Sequence, residues 1–239
     1  MALLLLHGFT HTGASWARVR ASLPERYRAL APDLRGHGSA GGAQPVTLDA
    51  VLEDLAAIAP PEGFTLAGYS MGGRIALHAA LSAGLAGRVS RLVLIGASPG
   101  IAEEADRVAR FEADERVAAE LERLDIEALA RHWARTPVLA GQPAEVREWV
   151  HQDRLRNTPA GLARALRGLG TGALPSLWER LGDVQLPVTL LVGERDAKFT
   201  AIAEQMALSL PRARVVAVPG VGHAVHLEAP ERVAALLAE

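Results

Sequence analysis

This sequence predicts an α/β fold: a mostly parallel sheet of about six strands with a helical cap inserted into it. Three observations carry that prediction. Short, continuous apolar runs alternate with segments of helical periodicity, as in strands buried on both faces and joined by helical crossovers. One such run, starting at Phe64, ends in Gly68-Tyr69-Ser70-Met71-Gly72-Gly73 and passes at once into helical pattern. From about residue 101 to residue 181 the strand-like runs vanish, and 11 arginines fall between Arg107 and Arg167. The simplest division is therefore a core of residues 1–100 and 182–239, with residues 101–181 as the cap.

The 239 residues suffice for one large α/β domain, and a hydrophobic content of 49% is ample for its core. Aromatic residues make up only 4%, so Leu, Val and Ala must fill that core. A formal net charge of -2, with no basic block, argues against a nucleic-acid partner. The absence of cysteine excludes disulfides, thiol catalysis and Cys-ligated zinc, and no metal is expected. The first six residues lack the length and basic start of a signal peptide. No apolar run approaches the ~20 residues of a membrane span, so the expected location is cytoplasmic, with no membrane contact. Of 25 basic residues only Lys198 is lysine, a bias expected from genome composition, with heat adaptation the weaker alternative. A single arginine is thus weak evidence of a site unless its position adds something.

Residues 3–6 form the first apolar run and lead into residues 7–13, a glycine-bearing loop at a strand's C-terminal end, where open α/β sheets bind ligands. A helix is expected from Ser15 to about Leu23, then a strand at 28–31 and a polar loop at 32–39. Thr47 caps a helix through Ile58, with Leu48, Val51, Leu52, Leu55 and Ile58 at helical spacing. The Phe64 strand, the helix after Ser70 and a strand at 91–95 follow. Breaks at Pro137, at 141–143, at Thr158-Pro159 and at 168–172 divide the cap into four or five helices. Strands resume at 188–192 and 214–218, and a last helix starts near Pro230, with Glu231 in its first turn. Such alternation requires right-handed crossovers between parallel strands.

The chemistry centres on Gly68-x-Ser70-x-Gly72, the pattern of a nucleophile elbow. Small neighbours let a strand turn sharply into a helix, which strains the serine backbone and lifts its hydroxyl above the sheet. The helix start offers unpaired N–H groups where an oxyanion could form, and the N–H groups of Phe9 and Met71 are the expected oxyanion hole. Asp196 lies just beyond one strand and His223 just beyond the last, which gives the chain order nucleophile, acid, base. Taken singly, Asp196 could be a helix cap and His223 a loop histidine. His226 competes as the base, but the Gly220-Val221-Gly222 turn delivers His223 directly. Glu194 is expected to point away from Asp196. His7 is expected to brace the oxyanion loop, and Asp33, Arg35 and His37 to tie their own loop together.

Four stretches carry a resemblance: His7-Gly8-Phe9, the elbow through Arg74, Gly170-Thr171-Gly172 through Ser176-Leu177-Trp178, and Gly193-Glu194-Arg195-Asp196-Ala197-Lys198-Phe199. Together they resemble the 2-succinyl-6-hydroxy-2,4-cyclohexadiene-1-carboxylate synthases of menaquinone biosynthesis, in the α/β-hydrolase superfamily. The resemblance implies a lyase that eliminates pyruvate from a cyclohexene polycarboxylate without a cofactor. Ser70, deprotonated through His223 and Asp196, would then act as a base. It also implies substrate contacts from Arg74, Arg110, Arg154, Trp133 and Tyr69. A tyrosine that follows the cap tryptophan in some members is absent here, where Ala134 stands. The family's opening antiparallel hairpin is missing as well. The strand at 28–31 should therefore lie at an edge, covered by a loop or by a second subunit, in a monomer or a homodimer. Two other readings stay open: a serine carboxylesterase or carbon–carbon bond hydrolase with Ser70 as covalent nucleophile, and a binding protein without activity.

Overall fold

A computed structural model of the chain describes residues 1–61, 63–136, 139 and 141–239. Six strands form one sheet: β1 (Ala2–Leu6), β2 (Arg28–Leu30), β3 (Phe64–Tyr69), β4 (Val89–Ile95), β5 (Val188–Gly193) and β6 (Ala213–Val218). Their spatial order is β2-β1-β3-β4-β5-β6, and every neighbouring pair is parallel. The leucine run explains why β1 lies inside the sheet, paired on both sides. Leu4 and Leu6 enter the apolar cluster on one face, while Leu3 and Leu5 enter the cluster on the other. Each fully buried leucine contributes about 2 kcal/mol of apolar transfer.

Helices cover both faces. The first cluster takes residues from α2 (Leu48–Ile58), α3 (Met71–Ala80) and α8 (Ala197–Ser209). The second takes them from α1 (Ala17–Ala21), α9 (Val225–Glu228) and α10 (Pro230–Leu237). Thr47 caps α2 as expected, its side chain accepting from the Ala50 N–H. The helix expected from Ser15 to Leu23 is instead a 3-10 turn, Gly13–Trp16, followed by the short α1. The cause is local: the Thr12 side chain accepts from the Ala14 N–H and starts the turn early.

Between β4 and β5 lie α4 (Glu104–Leu121), α5 (Ile126–Trp133), α6 (Ala144–Arg154) and α7 (Pro159–Leu169). The Thr158-Pro159 break is a helix start, with Thr158 as the cap and Pro159 in the first turn. A boundary before Asp125, which caps α5, was not expected from the sequence. The expected break at Pro137 lies outside the described residues. Helices α4, α5 and α7 share a small core of their own that includes Leu121, Leu129 and Leu162. Helix α6 does not join it. Its Val146 and Val150 enter the cluster that holds Trp16 and Val19, so this helix is fused to the sheet's own cover.

Strand β2 does lie at the sheet edge, as expected. Arg28 and Leu30 are exposed, so the expected covering loop is absent among the described residues. An edge of three residues offers little length for unwanted pairing. Because β2 sits on one side of β1 and β3 on the other, the strand order reverses there. The crevice at that reversal is where open α/β sheets bind ligands.

Substituting Leu5→Ala should lower the unfolding free energy by about 3 kcal/mol, read by urea denaturation. A loss below about 1 kcal/mol would contradict the tight packing of β1.

Candidate active site

Ser70 ends β3 and opens α3 with φ 51 and ψ -110, a conformation that non-glycine residues rarely adopt. The turn is possible because α3 passes almost against β1. A Cβ on Gly72 would stand 2.4 Å from the Leu6 carbonyl oxygen and 2.5 Å from that of His7. The Ser70 N–H is tied to the Ile95 carbonyl at 2.8 Å, which leaves the side chain free to project into the cavity above. The backbone N–H groups of Phe9 and Met71 have no protein acceptor among the described residues.

Asp196 fills both of the roles open to it. Its Oδ1 accepts from the Phe199 N–H at 3.3 Å, capping α8, while its Oδ2 accepts from His223 Nδ1 at 2.6 Å. His223 is buried, and its ring lies 4.5 Å from that of Phe199. The loop that delivers it is held by Glu228, whose Oε2 accepts from the Gly222 N–H at 3.0 Å and from Arg195 at 2.9 Å. Gly96, at φ +53, gives the imidazole its room: a Cβ there would come within 2.8 Å of His223 Cε1. Glu194 points elsewhere, to the Gly220 N–H at 2.8 Å. His226 packs on Trp16 and Tyr69 with neither ring nitrogen bonded, and burial drives its pKa well below the ordinary value. With no carboxylate bonded to it among the described residues, His226 is not placed to be a base.

The loop after β1 is braced from two sides. His7 Nε2 accepts from the Leu34 N–H at 2.9 Å, which places the ring proton on Nδ1, where it is donated to the Gly8 carbonyl at 2.9 Å. Burial pushes the His7 pKa down to about 4. Asp33 ties three groups, accepting from the Gly13 N–H and from the backbone and hydroxyl of Ser39. Arg35 was expected to tie the same loop but reaches α2 instead, pairing with Asp54 at 2.6 Å. His37 stays within the loop, packed against the rings of His7 and Phe9. From α6, Asp153 accepts from the Thr12 N–H at 3.1 Å, the Thr12 hydroxyl at 2.5 Å and His11 Nδ1 at 3.2 Å. Nearby, Asn157 donates to the Thr10 carbonyl at 2.9 Å and accepts from the Gly38 N–H.

Above these groups lies a cavity of about 870 Å³, lined among others by Phe9, Ser70, Met71, Arg74, Arg110 and His223. Trp133 also lines it, edge-on to the Phe9 ring at 4.8 Å. The Arg74 guanidinium is buried and donates to the Thr171 hydroxyl at 2.6 Å. Burial, and then repulsion from Arg110, push its pKa down to about 10. Arg110 pairs with Asp114 at 2.7 Å. Two expected substrate contacts do not reach the wall. Tyr69 is buried among the rings of His11, His223 and His226. Arg154 is buried beside Thr10, its Nε 3.3 Å from that hydroxyl and one guanidinium nitrogen unpartnered. Both sit directly behind the loop and the elbow, so they support the wall without forming it.

Sequence reasoning assigned no role to Thr171, Trp178, Arg195, Lys198 or Phe199, all of which line the cavity. Their signal was the two motifs quoted for the resemblance. Asp153 left no signal, because it meets its partners across 141 and 142 residues of chain. Among the described residues no group of three or more His, Asp or Glu could hold a metal ion, and no helix is long and apolar enough to cross a membrane.

A serine on a strained strand-to-helix turn and a histidine paired with a carboxylate, both lining one cavity at the strand ends, are the arrangement of an α/β-fold enzyme. Comparison with known proteins sharpens this. The profile of the alpha/beta hydrolase family matches residues 3–236. A putative 2-succinyl-6-hydroxy-2,4-cyclohexadiene-1-carboxylate synthase of Bacillus subtilis is 35% identical, over 100% of this chain and 89% of its own. An Enterobacter protein of the same name is 34% identical over 99% and 90%. The solved structure of MenH from S. aureus superposes with a TM-score of 0.92 at 32% identity, covering 99% of this chain and 91% of its own. A malate-bound thermophilic esterase from Thermogutta terrifontis follows at 0.84 and 28%, covering 99% and 88%. The chain belongs to the alpha/beta hydrolase family, in the branch formed by the 2-succinyl-6-hydroxy-2,4-cyclohexadiene-1-carboxylate synthases.

Two predictions test this geometry. Gly96→Ala should lower turnover by about 100-fold, whatever the substrate, while circular dichroism still reports a folded chain; unchanged turnover would show that His223 is not held as described. The second concerns pH. Buried His7 and His78 have folded pKa values pushed down to about 4, and His37 and His226 are also lowered. The unfolded chain takes up these protons below about pH 6.5 and the folded chain does not, so stability falls as pH drops from about 6.5 towards 4. Thermal melts between pH 8 and 4.5 should show a plateau and then a decline, and a flat profile would contradict neutral buried histidines.

Proposed function

We propose that the protein is a lyase that eliminates pyruvate from 2-succinyl-5-enolpyruvyl-6-hydroxy-3-cyclohexene-1-carboxylate to give 2-succinyl-6-hydroxy-2,4-cyclohexadiene-1-carboxylate. The observation that carries the reading is the buried guanidinium of Arg74, one helical turn beyond Ser70, in the wall of the same cavity. A hydrolase of neutral esters has no use for a buried cation beside its serine. A substrate with carboxylates on its ring, its succinyl arm and its enolpyruvyl group does.

The chemistry follows from the arrangement. His223, held at Nδ1 by Asp196, takes the proton of Ser70 through its other nitrogen. The serine oxygen then removes the ring proton next to the succinyl ketone. The C–H electron pair forms a new ring double bond, the existing one moves along by one position, and the bond to the enolpyruvyl oxygen breaks. The bonding pair leaves on oxygen as the enolate, which takes a proton back from the Ser70–His223 pair and tautomerises to pyruvate. Negative charge that develops on the ketone oxygen falls to the N–H groups of Phe9 and Met71, which have no protein acceptor among the described residues. No acyl-enzyme is formed and no cofactor is called for. Arg110 and Trp133 complete the wall around the substrate, while Tyr69 and Arg154 support it from behind. One chain supplies every group named, so a monomer or a homodimer would serve equally, in the cytoplasm and without a nucleic-acid or membrane partner.

An esterase using Ser70 as a covalent nucleophile is the second reading, favoured by the likeness to the malate-bound esterase. A coupled pyruvate assay with the cyclohexene substrate separates the two. The lyase should release pyruvate stoichiometrically with the diene, and Ser70→Ala should lower that rate by about a thousandfold. Rapid acylation of Ser70 by a p-nitrophenyl ester, with no pyruvate released, would overturn the lyase reading. Arg74→Ala should cut pyruvate release about 10- to 100-fold, and more than it cuts ester turnover; equal losses would remove Arg74 as a carboxylate clamp.

A further inference from the structure

The cavity wall carries four cations, Arg74, Arg110, Arg195 and Lys198, and the protein treats them differently. Arg110 is neutralised by Asp114, and Arg195 by Glu228. Arg74 meets a neutral hydroxyl. Lys198 has no ion-pair or hydrogen-bond partner among the described residues, and its ammonium lies 5.6 Å from the Phe199 ring centroid. Two of the four charges are thus left unbalanced. They flank the reacting groups, one following Ser70 on α3 and the other following Asp196 on α8.

Composition adds an independent observation. Lys198 is the single lysine among 25 basic residues; the other 24 are arginine. A chain that uses arginine for every other cation, on the surface and in ion pairs alike, keeps an ammonium at one place, and that place is the cavity wall. Arginine presents a wide planar fork that suits bidentate pairing, whereas lysine presents a compact, strongly hydrated charge on a flexible stem. At an exposed position two residues from Asp196, the flexible stem can follow a carboxylate without a second fork crowding Arg195.

We infer that Lys198 is a substrate-binding residue that holds one carboxylate in the cavity while Arg74 holds another. The site thereby recognises a polycarboxylate at two poles, one carried by the helix after Ser70 and one by the helix after Asp196. This rests on the lyase reading for the identity of the substrate, but not for the existence of the second pole.

The test uses the chain's composition. Reductive methylation of the folded enzyme can modify only one side-chain amine, and mass spectrometry of the peptide that contains residue 198 reads its extent. The cyclohexene substrate should slow methylation of Lys198, and unchanged labelling at saturating substrate would overturn the proposal. In the pyruvate assay, Lys198→Gln should raise KM about three- to tenfold with kcat nearly constant, and Lys198→Arg should recover part of the loss. A wild-type KM in Lys198→Gln would also overturn it. Failure of the lyase reading would appear differently, as no pyruvate from the wild-type enzyme. Protection of Lys198 in that case would still support the second pole, and absence of protection would still remove it.

Discussion

Everything in the site depends on the distance between α3 and β1. Gly72 has no side chain, and a Cβ there would stand only 2.4 Å from the Leu6 carbonyl oxygen. That closeness is what forces β3 to turn into α3 across a single residue. Ser70 accepts the strained backbone because Leu4 and Leu6 of β1 and the apolar face of α3 are locked into one cluster. The same approach brings Met71 and the loop that carries Phe9 into the wall of the cavity that Ser70 lines. The serine and the two backbone N–H groups of the proposed oxyanion hole thus depend on one packing event.

The remaining groups are held by hydrogen bonds more than by packing. His223 depends on Asp196 at Nδ1, on Glu228 through the preceding glycine, and on the vacancy left by Gly96. The Phe9 loop depends on His7 from below and on Asp153 and Asn157 from the side. Buried polar contacts of this kind are costly when half made, because each orphaned partner keeps its desolvation penalty. They hold a loop in one conformation where apolar contacts would tolerate several.

What the sequence made legible follows the range of each interaction. Residues 3–6 and 188–192 read as strands because each is a short apolar run with no polar interruption, and Thr47 read as a cap because its target lies three residues away. The elbow, Asp196 and His223 were legible because glycines and strand ends mark them locally. The 3-10 turn at Gly13–Trp16 escaped because apolar periodicity does not separate it from α-helix. The role of Asp153 was not legible, nor was the burial of Arg154 and Tyr69. Each depends on which face of α6 or β3 turns inward, and that is settled by partners far away in the chain. The cap arginines mark the same limit: the arginine-rich helical pattern looks alike at Arg110, which lines the cavity, and at Arg154, which does not.

Helix α6 has a consequence for modularity. It is threaded between β4 and β5 with the other inserted helices, yet its valines belong to the sheet's cover and its Asp153 belongs to the Thr12 loop. The insertion is therefore not a detachable accessory. A chimaera that borrowed these helices from a relative would inherit an anchor without its mooring unless residues 10–13 came with them. Lineages that diversify by remodelling the insertion must then change two remote stretches of chain in step, one before β2 and one after β4.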